Sequence, residues 1–195
     1  MSAPSKLNFK IYQGGTFKET LRWESPNIVY KNITNISKNA PAVVTSAAHG
    51  LVLGWRAWVN SVLGMREINS DEPYTITNLT TDSVELGEVN SLGYTAYASS
   101  GVLQYYAPVD LSGYTARMQL RSKLDSPDVI LSLTTENGRI AIDNVLKTIT
   151  LNITAADTAA LNFSSAIYSL EMVSGTSVVT PLLTGTVSLV KEITR

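Results

Sequence analysis

The sequence predicts an all-β protein, an immunoglobulin-like antiparallel β-sandwich carrying an inserted small β-barrel-like domain. Three observations lead there. Apolar residues recur at every second position through several segments, the spacing that puts alternate side chains on one face of a sheet. Turn-forming sequences separate those segments at short intervals. The composition is rich in Thr, Ser and Asn, with hydrophobic residues at 44% and charged residues at only 16% of 195, against about 25% charged in ordinary globular proteins. That length suffices for one large or two small domains, and the changes of texture along the chain favour two.

The first alternating segment is TFKETLRW, which places Phe17, Leu21 and Trp23 on one face. From about Ile36 to Tyr106 the texture changes to one richer in Gly, Ser, Trp and Tyr. Short apolar pieces follow one another there: AVVT, RAWVNSV, PYTITNL, SVELG and GVLQYY. Strands this short with turns this frequent suit a small antiparallel barrel, which removes free sheet edges by closing on itself. The Asn-rich KNITNISKNAP and the later YYAPVD mark its limits, with Pro41 and Pro108 at the joins. The predicted division is therefore an inserted unit at 36–106 within a discontinuous sandwich at 1–35 and 107–195, whose insertion points lie close in space.

Beyond it, GYTARMQLR is the clearest amphipathic strand. Tyr114, Ala116, Met118 and Leu120 point one way, and Thr115, Arg117, Gln119 and Arg121 the other. TITLNIT repeats the pattern through Ile149, Leu151 and Ile153, and AIYSLEMV through Ala166, Tyr168, Leu170 and Met172. Turns are expected at DSPD (Asp125 to Asp128), at ENGR (Glu136 to Arg139) and at SGTS (Ser174 to Ser177). The one helical segment is TAADTAAL, Thr154 to Leu161, with Thr154 as its cap. TGTVSLVKEITR is expected to complete the sheet as a strand, and the polar MSAPSK to be mobile or ordered only against a neighbour.

Charge and residue inventory exclude several functions. The formal net charge is −1, from 15 Lys and Arg against 16 Asp and Glu, so no long-range field draws nucleic acid or an anionic membrane. No cysteine is present, which removes disulfides, thiolate nucleophiles and zinc-thiolate sites. No apolar run approaches the roughly 18 residues that suggest a bilayer span. The N-terminus lacks an apolar core and cleavage site, so no secretory signal is expected. The sequons at Asn32, Asn35, Asn78, Asn152 and Asn162 then read as chance occurrences in an Asn- and Thr-rich chain.

The chemistry-bearing residues are few. His49, the only histidine, sits in VTSAAHGL; a lone His needs a nucleophile or metal partners that the sequence does not place nearby. It is expected to end a turn with Gly50, capping backbone groups or facing solvent. Asp71 with Glu72, and Asp125 with Asp128, are candidate paired carboxylates for glycoside hydrolysis or calcium, but each pair lies beside Pro and reads as solvated turn residues. Trp55, Trp58, Tyr94, Tyr97, Tyr105 and Tyr106 are candidates for an aromatic platform that would stack on sugar rings, or else for core and interface. Arg117 and Arg121 with Lys123 form a modest basic stripe, read as a surface or subunit contact. The residues expected to form an interaction surface are Trp55, Trp58, Tyr94, Tyr97, Arg117 and Arg121; no catalytic, metal or cofactor residues are expected.

Residues 38 to 106, through VTSAAHGL, VLGMREIN, YTITNLTTDSVEL and GYTAYASSGV, resemble a small β domain found in bacteriophage virion proteins. That domain is named after the first catalytic cysteine half-domain of ubiquitin-activating enzymes. The flanks NFKIYQGGTFKETLRWES and DLSGYTARMQLRSKLDSPDVILSLTTENGRIAIDN, with the strands after them, resemble small β-sandwich proteins of phage tail and baseplate gene clusters. Ubiquitin chemistry does not follow, because the chain has neither a cysteine nor the G-x-G-x-x-G nucleotide-binding pattern.

The resemblance implies a noncatalytic structural component of a virion, placed in the tail, neck or baseplate and acting as an adaptor or fibre attachment point. It would be made in the bacterial host cytoplasm. The implied partners are other virion proteins (tail, connector or fibre subunits) and further copies of the chain in a homo-oligomeric ring, with no nucleic acid, membrane or cofactor. A receptor- or carbohydrate-binding module is the alternative.

Overall fold

Backbone N–H and C=O groups must find partners when they leave water, and period-two segments find them in ladders with neighbouring strands. The computed structural model describes residues 3–193, and there the chain is all-β apart from helical turns. Strands β1 (Ser5–Lys6), β2 (Phe9–Tyr12) and β3 (Phe17–Leu21) come first. Next are β4 (Glu24–Asn32), β5 (Asn35–Ile36), β6 (Ala42–Thr45) and β7 (Arg56–Leu63). Then follow β8 (Tyr74–Leu79), β9 (Ser83–Leu86), β10 (Ser99–Pro108) and β11 (Thr115–Arg121). The chain continues through β12 (Leu131–Thr134), β13 (Ile140–Asp143), β14 (Thr148–Ile153) and helix α1 (Ala155–Ala160). It closes with β15 (Ser165–Val173) and β16 (Val179–Val190).

The strands group into two compact units. One takes both ends of the chain, up to Arg22 and from Asp110 onward; the other is the continuous stretch Trp23–Val109. The divisions fall at 22/23 and 109/110 rather than at the expected 35/36 and 106/107. The reason is β4, which pairs along β10 from Val102 opposite Asn32 to Pro108 opposite Glu24, and so belongs with the continuous unit.

In the two-segment unit, a six-stranded sheet runs β1-β16-β15-β11-β12, with β2 also on β16. A three-stranded sheet runs β13-β14-β3. Ala116, Met118 and Leu120 of β11 are buried opposite Met172, Leu170 and Tyr168 of β15. Ile140, Ile149, Leu151 and Ile153 bury the inner face of the smaller sheet. Phe9 sits edge-on to Phe17, with ring centroids 5.6 Å apart, and tilts against Tyr168 at 5.0 Å. Burying a side chain of this size stabilises by roughly 1.5–3 kcal/mol. Helix α1 starts where Thr154 Oγ1 accepts a hydrogen bond from the Asp157 N–H at 3.1 Å, and its chain leaves the helix at Leu161 in an extended conformation.

Polar side chains do not prevent an edge strand, because the ladder uses backbone groups alone. Ser5 and Lys6, expected to be mobile, pair in parallel with Leu183 and Thr184, and β2 continues along Val187 to Val190. At the break between β1 and β2, the Asn8 side chain replaces the backbone and accepts from the Thr186 N–H and hydroxyl, both at 3.0 Å. The last strand ends at Val190, short of KEITR. Residues 1–2 of MSAPSK and 194–195 of KEITR lie outside the described residues.

In the continuous unit, seven antiparallel strands run β4-β10-β7-β8-β9-β6-β5. The two end strands are halves of one segment. Between them Ile33 N–H donates to the Gly101 carbonyl at 3.0 Å and Thr34 N–H to the Thr45 carbonyl at 2.9 Å. The chain thus passes from pairing with β10 to pairing with β6 within two residues, and the sheet curls back on itself there. Trp55, Met65, Ile68, Ile76, Leu86 and Leu103 fill its interior.

Candidate functional site

His49 is buried in the turn between β6 and β7, and both ring nitrogens are committed to backbone. Nδ1 accepts from the Leu51 N–H at 3.0 Å, which leaves Nε2 to donate to the Thr80 carbonyl at 2.8 Å. The Tyr105 hydroxyl donates to the His49 carbonyl, and burial pushes that phenol above its usual pKa. Ala48 and Gly50 on either side take positive φ, 45° and 73°, while the Ala48 N–H is held by Asp82 Oδ1 at 2.8 Å. The imidazole therefore clasps the 46–51 turn to the 79–82 turn.

The aromatic residues do not form one cluster. Trp55, expected at an interaction surface, is wholly buried, and its Nε1 donates to the Tyr106 carbonyl at 2.8 Å. Alternation decides this: Trp55, Ala57 and Val59 face the interior, so Arg56, Trp58 and Asn60 face out. Tyr105 is likewise buried. Tyr94 and Tyr97 pack part-buried against the core from the segment before β10. The Tyr97 hydroxyl is shared between the Ile33 and Ser100 carbonyls at 3.1 and 2.9 Å.

Trp58 belongs instead to an outward face built by β4, β10 and β7. Register puts Tyr30, Gln104 and Trp58 in one row across the three strands, because Gln104 lies opposite Tyr30 on one side and Trp58 on the other. The next row is Asn32, Val102 and Asn60. Tyr106, opposite Ile28, stands edge-on to Trp58 with centroids 6.0 Å apart at 81°. Trp58 Nε1 donates to the Asp71 carbonyl at 3.0 Å, which fixes the indole. Tyr30 is 62% exposed. At one end Arg56 pairs with Glu24 at 3.3 Å. Among the described residues, the side-chain amides of Gln104 and Asn60 have no hydrogen-bond partner in the protein.

The basic stripe is more nearly neutral than expected. Arg117 Nε pairs with Glu171 Oε2 across β15 at 2.7 Å. Arg121 is drawn back onto Gln119 Oε1 at 2.8 Å and onto the Ser126 carbonyl, so it braces the loop after β11. Asp71, Glu72, Asp125 and Asp128 are exposed; the Glu72 N–H is capped by Ser70 Oγ at 3.0 Å. Among the described residues no three His, Asp or Glu side chains converge as a metal site. No described helix is long and apolar enough to cross a membrane.

Other carboxylates with shifted pKa are structural anchors. Lys147 at 3.0 Å, with Asn144 and Ser112, holds Asp110 down at about 2. Arg139 at 2.7 Å lowers Asp157 at the cap of α1. The Thr95 N–H and hydroxyl, both 2.9 Å from Glu67 Oε1, lower Glu67 and pin the segment before β10.

Tyr30 and Gln104 are the surface residues that sequence reasoning missed. The signal lay in NIVYKNI, where Ile28, Tyr30 and Asn32 alternate with Val29, Lys31 and Ile33, next to an Asn-rich stretch that reads as a loop. No protein-family model and no curated protein sequence matches this chain.

Proposed function

We propose that the protein is a noncatalytic structural component of a bacteriophage virion, an adaptor or fibre attachment element of the tail, neck or baseplate that assembles with further copies of itself and with other virion proteins. The reading includes an immunoglobulin-like sandwich interrupted by a barrel-like domain. Strand order favours it: labelled as immunoglobulin strands, β3, β11, β12, β13, β14, β15 and β16 are B, C, C′, D, E, F and G. D-E-B then forms one sheet and G-F-C-C′ the other, with β1 and β2 as a first strand parallel to G. The β4 to β10 unit falls between B and C.

The observation that carries the assembly role is the outer face of the six-stranded sheet. Thr115, Gln119, Ser132, Thr134, Ser169 and Thr186 occupy it, and its central Arg117 and Glu171 neutralise each other. A face made mostly of hydroxyl and amide side chains, with few charges, costs less desolvation when buried between subunits than a charged face does, and a repeated heterologous contact closes a ring. His49, whose ring is spent on two backbone groups, supports a structural rather than catalytic part for the turn that carries it.

Light scattering on the purified protein tests this, alone and mixed with tail or connector proteins from the same gene neighbourhood. A ring, or a monomer that assembles on such a partner and loses that ability in Ser169→Arg, is expected. A monomer that ignores every virion protein overturns the proposal.

A further inference from the structure

We infer that the outward face of β4, β10 and β7 binds a neutral glycan chain. The inference is independent of ring assembly through the six-stranded sheet. Tyr30 and Trp58 stand in one row with Gln104 between them. Two strand spacings separate the aromatic residues, about 10 Å. Two aromatic side chains at that separation, with an amide midway, offer apolar surface for two pyranose faces and a hydrogen-bonding group for the hydroxyls between them.

Three features favour sugar over a protein strand or helix. The amides of Gln104 and Asn60 have no partner within the described residues, and an amide buried under an apolar protein surface would be left unsatisfied, whereas a sugar hydroxyl both donates and accepts. The indole is pre-set: Asp71 fixes its Nε1 and Tyr106 buttresses it edge-on, so little rotamer freedom is lost on binding. The ion pair at the end of the face is closed between Arg56 and Glu24, which leaves an acidic sugar no unpaired Arg56 to meet and favours neutral ones.

The test is titration of the full-length protein with neutral hexasaccharides of glucose, mannose, galactose and N-acetylglucosamine, followed by tryptophan fluorescence and heteronuclear NMR. Polygalacturonate serves as the acidic comparison. At least one neutral hexasaccharide is expected to bind, with shifts confined to the Tyr30, Gln104 and Trp58 neighbourhood. Tyr30→Ala and Trp58→Ala are each expected to weaken binding about tenfold, the effect of losing one stacked ring, while Trp58→Phe retains most of it. Circular dichroism establishes that the variants fold, and light scattering that their assembly is unchanged, so a failure here is separable from a failure of the assembly role. Absence of binding to every neutral hexasaccharide at millimolar concentration overturns the inference. So does binding that survives both alanine variants, binding of polygalacturonate alone, or occupancy of this face only by a protein.

Discussion

The Leu7 carbonyl lies against the α-carbon of Gly185, where any side chain would meet it. The contact exists because the edge strand breaks between β1 and β2. There the Leu7 carbonyl turns inward to accept the Tyr168 hydroxyl at 2.8 Å, while Asn8 takes over the bonds to Thr186. Only glycine leaves room for a backbone atom at that spot. Gly185→Ala therefore destabilises the unit containing the chain ends, by about 1–3 kcal/mol, since a rigid backbone contact cannot relax as a side chain can. Urea denaturation measures this; an unchanged midpoint would show that the edge strand is not held as described.

Tyr168 supplies the other half of that contact, and burial pushes its phenol from an ordinary 10.0 up to about 12. The folded state thus holds the proton more tightly than the unfolded one. The stabilisation is fully present below pH 10 and is lost as pH rises through 12. Tyrosinate absorbance should show phenols that titrate late, and Tyr168→Phe should remove the one near 12. That variant also forfeits the bond to Leu7, at a cost of about 1 kcal/mol near neutral pH.

On the acid side, Asp110 titrates at about 2 against an ordinary 3.8, chiefly because Lys147 donates to it. Its contribution is present above pH 3.8 and is lost as pH falls through 2. Carboxyl-carbon NMR should place its midpoint near 2, and Lys147→Met should return it toward the ordinary value. A midpoint near 3.8 in the unaltered protein would dissolve the proposed link between Asp110 and the turn holding Asn144 and Lys147.

Two tryptophans three residues apart in sequence are expected to behave oppositely. Trp55→Ala opens a cavity in the continuous unit and costs about 3–5 kcal/mol. Trp58→Ala removes an outward ring and one hydrogen bond, costing about 1 kcal/mol. Equal losses in chemical denaturation would contradict the assigned strand facing.

His49→Ala leaves the Thr80 carbonyl and the Leu51 N–H without their partner in a buried turn, and is expected to cost about 1–3 kcal/mol. Amide hydrogen exchange should accelerate at both the 46–51 and 79–82 turns. Acceleration at neither would mean that the imidazole is not the clasp.

Local chemistry was enough to read much of this chain. Period-two alternation placed Ala116, Met118 and Leu120 in a core, Thr154 and its neighbours specified a short capped helix, and Gly50 beside His49 marked a turn, because each depends on residues adjacent in sequence. Which aromatic residues meet was not legible. Trp55 and Trp58 look alike in a string of residues, and their opposite fates follow from which face of β7 the closing sheet encloses. Tyr30 reaches Trp58's row only through the registers of β4 on β10 and β10 on β7, pairings that join Gln104 to Tyr30 and to Trp58 across long stretches of chain. Such non-local pairings arise from burial and backbone hydrogen bonding across the whole unit, and they decided where its outward rings and amides gather.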